Sequence, residues 1–332
     1  KYIKYPYLKN TITKSSLLEL FNKLKGSELT DYVTDYDMSS QNTHLKDKKR
    51  LILEKAFIVG DEYEILMDYF QEPVRVICNI EGMISPWKSY ITPEYNKKWV
   101  RKHFKSILNT DDIHSELRSS LQTIYKKDCD AFPANLALWL FRKWKPTKIL
   151  MMSGAWGDEI IATMAYENHS LLTAVDPNTD AVKNWYKMMK FFDKKSTKKY
   201  KFHIAPFEDV KLDKTENKFD LMYSSPPYFC AEHYSNNENQ SYLKFESLDS
   251  WINGFLTISL MKVWSLLNDN GVVILALNDV KIGNDIHRIV QPMHDVMDSL
   301  PNSKYIGTWG FKKYKTQYNY QPLFCWRKSI IR

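Results

Sequence analysis

Apolar and polar positions change their rhythm about a third of the way along the chain. From about Asp130 onward, short apolar runs alternate with longer stretches of helical period, as in a sheet with crossover helices. Lys148–Met152, Leu171–Val175, Lys201–Ala205, Phe219–Met222 and Gly271–Leu277 read as strands, and Lys304–Gly310 and Gln321–Trp326 close the sheet. Asp158–Glu167, Thr179–Phe192, Leu248–Leu267 and Ile286–Leu300 read as helices. Seven strands with intervening helices predict a doubly wound α/β domain of Rossmann-like type. The chain before it lacks this alternation. There the pattern predicts a helix starting at Ser15-Ser16 and another from about Leu45 through Lys55. It also predicts a strand over Val74–Cys78, entered through Pro73, and a helix over Glu94–Leu108. The expected organisation is a smaller, mainly helical N-terminal region over residues 1–125 and an α/β domain over residues 126–332.

Placed on this pattern, the chemistry gathers at strand ends, where open α/β sheets bind ligands. Tyr223-Ser224-Ser225-Pro226-Pro227-Tyr228-Phe229 follows the fourth strand. Two prolines cannot continue a strand ladder, so the loop is stiff. It offers the Ser225 hydroxyl, the Pro226 carbonyl and the Tyr228 ring, two acceptors beside an aromatic face. That set suits a planar group bearing an NH₂, such as a nucleobase; a rigid structural turn would use the same residues. The first strand runs into Ser153-Gly154-Ala155-Trp156-Gly157 at a helix start, where glycines let a ligand approach the backbone. Asp176 ends the next strand roughly 20 residues on, the spacing of a carboxylate that binds ribose hydroxyls. Phe207-Glu208-Asp209 ends the third strand, placing a carboxylate for an adenine amine. No Gly-Lys-Ser/Thr phosphate cradle is present, so the pattern favours adenosine without a triphosphate.

Composition narrows the partners. The net charge of +8 and a pI near 9.0 favour a polyanion. Lys97, Lys98, Arg101, Lys102 and Lys105 lie largely off the apolar face of the 94–108 helix, either as phosphate contacts or as an ordinary solvated face. Cys78, Cys129, Cys230 and Cys325 are far apart, so reduced thiols, an intracellular setting and no metal site are expected. No apolar run reaches the length of a membrane span, and no signal-peptide pattern precedes the first helix.

Taken together, these motifs resemble the S-adenosylmethionine-dependent methyltransferases that modify exocyclic amines of nucleobases. Ser225-Pro226-Pro227-Tyr228 is similar to that family's Asp/Asn/Ser-Pro-Pro-aromatic motif, and Cys129-Asp130-Ala131-Phe132-Pro133 to its Phe-Pro cofactor motif. The resemblance covers about Asp128 to Lys328 and leaves the N-terminal third unaccounted for. It departs at the first turn, which reads Ser-Gly-Ala-Trp-Gly-Asp after Met151-Met152, where the family carries an acidic residue before the glycines. Asp158 is the candidate replacement. The resemblance implies S-adenosylmethionine held by Phe132, Pro133, Ser153, Gly154, Gly157, Asp158, Asp176, Phe207 and Glu208. It implies Ser225, Pro226, Pro227 and Tyr228 as the catalytic loop acting on a base extruded from its stack. Serine in the first position gives a weak preference for cytosine N4 over adenine N6, and DNA is the family's default substrate ahead of RNA. Recognition would fall to residues 1–125 and to the loop Ala231–Phe245, with its Asn236, Asn237, Asn239 and Gln240. A catalytically silent nucleic-acid-binding subunit, an RNA adenine-N6 enzyme and a protein-glutamine methyltransferase are the alternatives, and an oligomer or partner subunit is compatible with each.

Overall fold

The computed structural model describes residues 5, 7–41, 44–92, 94 and 129–330. Its main sheet has eight strands: β1 Lys55–Ile58, β2 Lys148–Met151, β3 Leu171–Asp176, β4 Tyr200–Ile204, β5 Phe219–Ser224, β6 Leu267–Ala276, β7 Ser303–Lys312 and β8 Gln321–Lys328. They lie in the order β1-β7-β8-β6-β5-β2-β3-β4. Neighbours run parallel except β8, which is antiparallel to β6 and β7. This is the expected doubly wound, Rossmann-like sheet, enlarged by β1 from the N-terminal region. The chain winds outward from β2 through β3 to β4, then returns to the other side of β2 at β5. The strand order therefore reverses between β2 and β5, and a crevice opens at their carboxyl ends.

Period-two alternation sends successive side chains of each strand to opposite faces. Ile149 and Met151 of β2 enter one core; Leu150 and Met152 enter the other. The first core is covered by α1 Lys14–Gly26, α2 Glu64–Arg75, α3 Ala134–Trp144, α4 Asp158–Tyr166 and α5 Thr179–Phe192, and the second by α6 Ile258–Leu266 and α7 Val290–Ser299. Truncating a fully buried strand residue such as Leu221 or Ile274 should cost about 2–5 kcal/mol.

Several expected elements differ. Val74–Cys78 is not a strand, because Val74 and Arg75 end α2, which keeps Pro73 inside and buries Leu66, Met67 and Val74 on one face. Tertiary burial overrides the local β propensity there. In place of a helix over 45–55, a 3₁₀ turn at Lys48–Leu51 leads to a two-residue strand, Ile52–Leu53, and on to β1. Ile286 belongs to a hairpin, Val280–Ile282 with Asp285–His287, turned by Gly283 at φ +61°. Helix α7 starts only at Val290, where Asp279 Oδ1 accepts from the amides of Ile289 and Val290, both at 2.9 Å. The long helix over 248–267 contains a π-turn at Ile252–Thr257. Helix α3 was not anticipated. No helix among the described residues is long and apolar enough to cross a membrane, and none of the described His, Cys, Asp and Glu residues cluster as metal ligands.

Candidate functional site

The turn after β2 is shaped by what lies behind it. Gly154 N–H donates to Val175 O at 3.0 Å, and Trp185 Nε1 of α5 donates to Ala155 O at 3.2 Å. A Cβ on Gly154 would come within 2.4 Å of the Trp185 ring, so only glycine permits this packing. Gly157, at φ +92°, also abuts that ring and leads into α4. Ala155 itself adopts φ +41°, a left-handed conformation held by its neighbours. Its amide donates to Asp176 Oδ2 at 3.0 Å, while Asn178 N–H donates to Asp176 Oδ1 at 2.8 Å. Asp176 thereby ties the first turn to the second. Burial pushes its pKa up to about 7 against those two backbone bonds, which favour the carboxylate.

The third turn is clamped by a residue from α6. Lys262 Nζ donates to the carbonyls of Phe207, Glu208 and Val210 at 2.8, 2.6 and 3.1 Å. Glu208 Oε1 accepts from Lys244 Nζ at 2.9 Å, whereas the buried Oε2 has no partner. Together these turns line a partly open pocket with Ser153, Ala155, Asp176, Phe207 and Glu208, and Gln240 stands at its wall. Trp156 Nε1 and Gln240 Nε2, on two further lining residues, are also buried and unpartnered. Buried polar atoms normally find partners, so these groups are set for a polar ligand.

The Pro-Pro loop stands where this cavity meets a second, wider cleft. Ser225 lines both, Pro227 the cavity, and Pro226 and Tyr228 the cleft. Tyr228 is fixed by its hydroxyl, which donates to Ala276 O at 3.1 Å and accepts from Gln321 Nε2 at 2.6 Å; Gln321 is held in turn by Asn278 at 2.7 Å. Burial raises the Tyr228 pKa, so the phenol stays protonated. Ser225 Oγ makes only long contacts, 3.4 Å to Tyr228 Oη and to Ala276 O, and is readily recruited by a stronger partner. Four acidic residues line the cleft, of which Asp158 and Glu159 are buried, Glu232 is partly buried and Asp130 is exposed. Burial raises the pKa values of Asp158 and Glu232, and that of Glu159 to about 7. Asp158 Oδ1 is buried without a partner.

Of the sequence-derived candidates, Ser153, Asp176, Phe207 and Glu208 come together around the cavity. Phe132 and Asp158 line the cleft instead, with Phe132 packed edge-on against Tyr223 and Phe311 at 4.9 and 5.0 Å. Pro133 caps α3. Gly154 and Gly157 belong to the turn but face the Trp185 ring behind it and line neither the cavity nor the cleft. Lys97, Lys98, Arg101, Lys102 and Lys105 lie outside the described residues. Sequence reasoning missed Trp185, Lys262 and Gln321, which act through others. A large aromatic or a lone lysine within a helical pattern carries no signal of its own. Only the β8 register would have brought Gln321 opposite the loop.

No family model and no curated protein matches the chain. Among solved structures, it is similar to a Klebsiella pneumoniae putative O-methyltransferase at 11% identity and TM-score 0.40, covering 70% of this chain and 99% of that one. The M. jannaschii tRNA m1G37 methyltransferase has 13% identity and TM-score 0.37 over 60% of this chain and 49% of that one. A Bacillus cereus O-methyltransferase in complex with SAH has 12% identity and TM-score 0.39 over 70% and 99%. At such identities and scores these likenesses add nothing to the topology, which stands on its own strand order.

Proposed function

We propose that this chain transfers a methyl group from S-adenosylmethionine to the exocyclic amine of a base extruded from nucleic acid. The observation that carries this reading is the position of Ser225 in the walls of both the strand-end cavity and the wide cleft. The cavity's donor set fits the cofactor. Each Asp176 oxygen holds one amide and keeps a lone pair for a ribose hydroxyl, and Glu208 Oε2 is free for an adenine amine. When bound, the cofactor supplies an electrophilic methyl on a sulfonium. The chain's own part is placement. Ser225 Oγ and the Pro226 carbonyl accept the two N–H hydrogens of the amine and turn its lone pair toward the cavity. Alignment of this kind is worth roughly 7–11 kcal/mol, far more than the ~1 kcal/mol net of each hydrogen bond. Tyr228, its hydroxyl anchored, keeps its ring in place for the extruded base, and stacking contributes about 1–3 kcal/mol. Serine is no general base, so the proton leaves after attack, once the nitrogen is acidic.

DNA with cytosine N4 is the substrate favoured by Ser225, and an RNA adenine is the nearest competitor. Ala155, at φ +41° where the family's turn is glycine-rich, favours a second reading, a catalytically silent subunit that binds nucleic acid. Calorimetry with S-adenosylhomocysteine separates the two: no heat of binding refutes the enzyme reading. Digestion of methylated DNA and RNA to nucleosides, followed by mass spectrometry, identifies the base. Phosphate contacts by Lys98 and Arg101 are tested by the salt dependence of DNA binding, where removing both should flatten the log–log slope by about 0.9 per lost contact.

A further inference from the structure

The hairpin joining β7 to β8 carries an aromatic surface that the reading above does not use. Lys312–Tyr320 reads Lys-Lys-Tyr-Lys-Thr-Gln-Tyr-Asn-Tyr, with three lysines, three tyrosines and no carboxylate. Its backbone is braced. Gln317 Oε1 accepts from the amides of Lys313 and Tyr314 at 2.6 and 3.1 Å, and Gln317 N–H donates to Tyr314 O at 3.1 Å. Tyr36 Oη donates to the Tyr318 carbonyl at 3.2 Å, and the Tyr36 and Tyr320 rings lie 4.9 Å apart. Against that support, the Tyr318 side chain is 88% exposed. An aromatic ring projecting from an anchored backbone adds nothing to the core, and it has little conformational freedom left to lose on contact.

The hairpin is also a rim of the wide cleft, which is lined by Lys312, Gln317 and Asn319 beside Tyr320. The hairpin at 280–287 adds Lys281 to the same cleft. Among the described residues, no carboxylate forms an ion pair with Lys315 or Lys281. Lys281 and Lys312 thus share the cleft with the buried Asp158 and Glu159. Lysines of this kind hold a phosphate chain, and an uncharged base can enter the cleft beside them.

We propose that this hairpin is a docking platform for an unpaired stretch of nucleic acid. A base flanking the target stacks on Tyr318, and Lys315 and Lys281 meet the phosphates. The strand must be unpaired, because the base faces of a duplex are already stacked on one another. This inference rests on the cleft being the nucleic-acid substrate site, and it specifies the form of that substrate.

The test is fluorescence anisotropy of a labelled oligonucleotide of mixed sequence, as single-stranded DNA, single-stranded RNA and duplex DNA, with the full chain. Single strands should bind more tightly than the duplex. Tyr318→Ala should weaken single-strand binding roughly 5- to 150-fold, and Tyr318→Phe should stay near wild type. Lys315→Ala with Lys281→Ala should flatten the salt slope by about 0.7 per lost contact. Because Tyr318 is exposed, all variants should melt like wild type. Wild-type affinity in Tyr318→Ala, equal losses in the alanine and phenylalanine variants, or tighter binding of the duplex would each overturn the proposal. Calorimetry with S-adenosylhomocysteine keeps the two readings apart. Loss of cofactor binding with Tyr318-dependent strand binding sinks the methyl-transfer reading alone; intact methyl transfer by a Tyr318→Ala variant of unchanged strand affinity sinks this one alone.

Discussion

Gly154 looks, from its place after β2, like a residue chosen for ligand approach, yet the structure gives it a different task. Its φ lies outside the left-handed region, so the backbone does not require glycine. The requirement is steric: a Cβ would meet the Trp185 ring at 2.4, 2.6 and 3.3 Å, and that ring is fully buried in the core beneath the turn. Neither partner can yield cheaply, because Trp185 is boxed by Phe202 at 5.5 Å and its Nε1 holds Ala155 O. Gly154→Ala should therefore destabilise by about 1–3 kcal/mol, the usual cost of overpacking. With an unfolding entropy of about 2.1 cal/mol/K per residue, that lowers Tm by roughly 1.5–4 °C for a chain of 332 residues. Cofactor affinity should fall as well, since the displaced ring drags Ala155 and with it the contact to Asp176. Combining the change with Trp185→Phe should cost less than the sum of the two single changes, a coupling of about 0.5–3 kcal/mol in a thermal or urea double-mutant cycle. An unchanged Tm accompanied by lost affinity would refute the packing account and return Gly154 to the ligand.

The succession of strands along the α/β domain and the strand-end motifs were legible because each needs only local pattern: apolar runs of strand length, turn residues at their ends, and spacings between them. Asp176, Phe207 and Glu208 meet around one cavity for that reason. What escaped was set by contacts distant in sequence. Val74–Cys78 has the composition of a strand, but its neighbours in space bury Val74 and Arg75 as the end of a helix, and Val76 and Cys78 beyond it. Ile286 follows a glycine whose positive φ turns a hairpin, and an apolar count sees only the helix that comes after. Lys262 clamps a turn 52 to 55 residues before it, which no spacing rule anticipates.

The remaining predictions concern the site and its charges. Tyr228→Ala should nearly abolish methyl transfer; Tyr228→Phe keeps the ring but loses the bonds to Ala276 O and from Gln321 Nε2, so its single-turnover rate should fall between those of wild type and Tyr228→Ala. Ser225→Ala should slow transfer with little change in cofactor affinity, which identical losses in both would contradict. Asp176→Ala should weaken S-adenosylhomocysteine binding by calorimetry and, by releasing the Ala155 and Asn178 amides, lower Tm; unchanged affinity in a folded variant would remove it from the ribose site. Glu159 makes the sharpest test of buried charge. The residue is 4% exposed, and burial raises its pKa to about 7 from the ordinary glutamate value of 4.5. The folded state therefore holds this proton more tightly than the unfolded chain, so the residue's cost is absent below about pH 4.5, grows between the two pKa values, and is complete above about pH 7. Glu159→Gln removes the charge with little change in shape and should stabilise the protein by about 1–3 kcal/mol near pH 8. At about pH 4 both forms are neutral, and the gain should vanish. Thermal melts of the two proteins across that range decide the matter: a gain independent of pH would mean that packing, not the buried carboxylate, separates them.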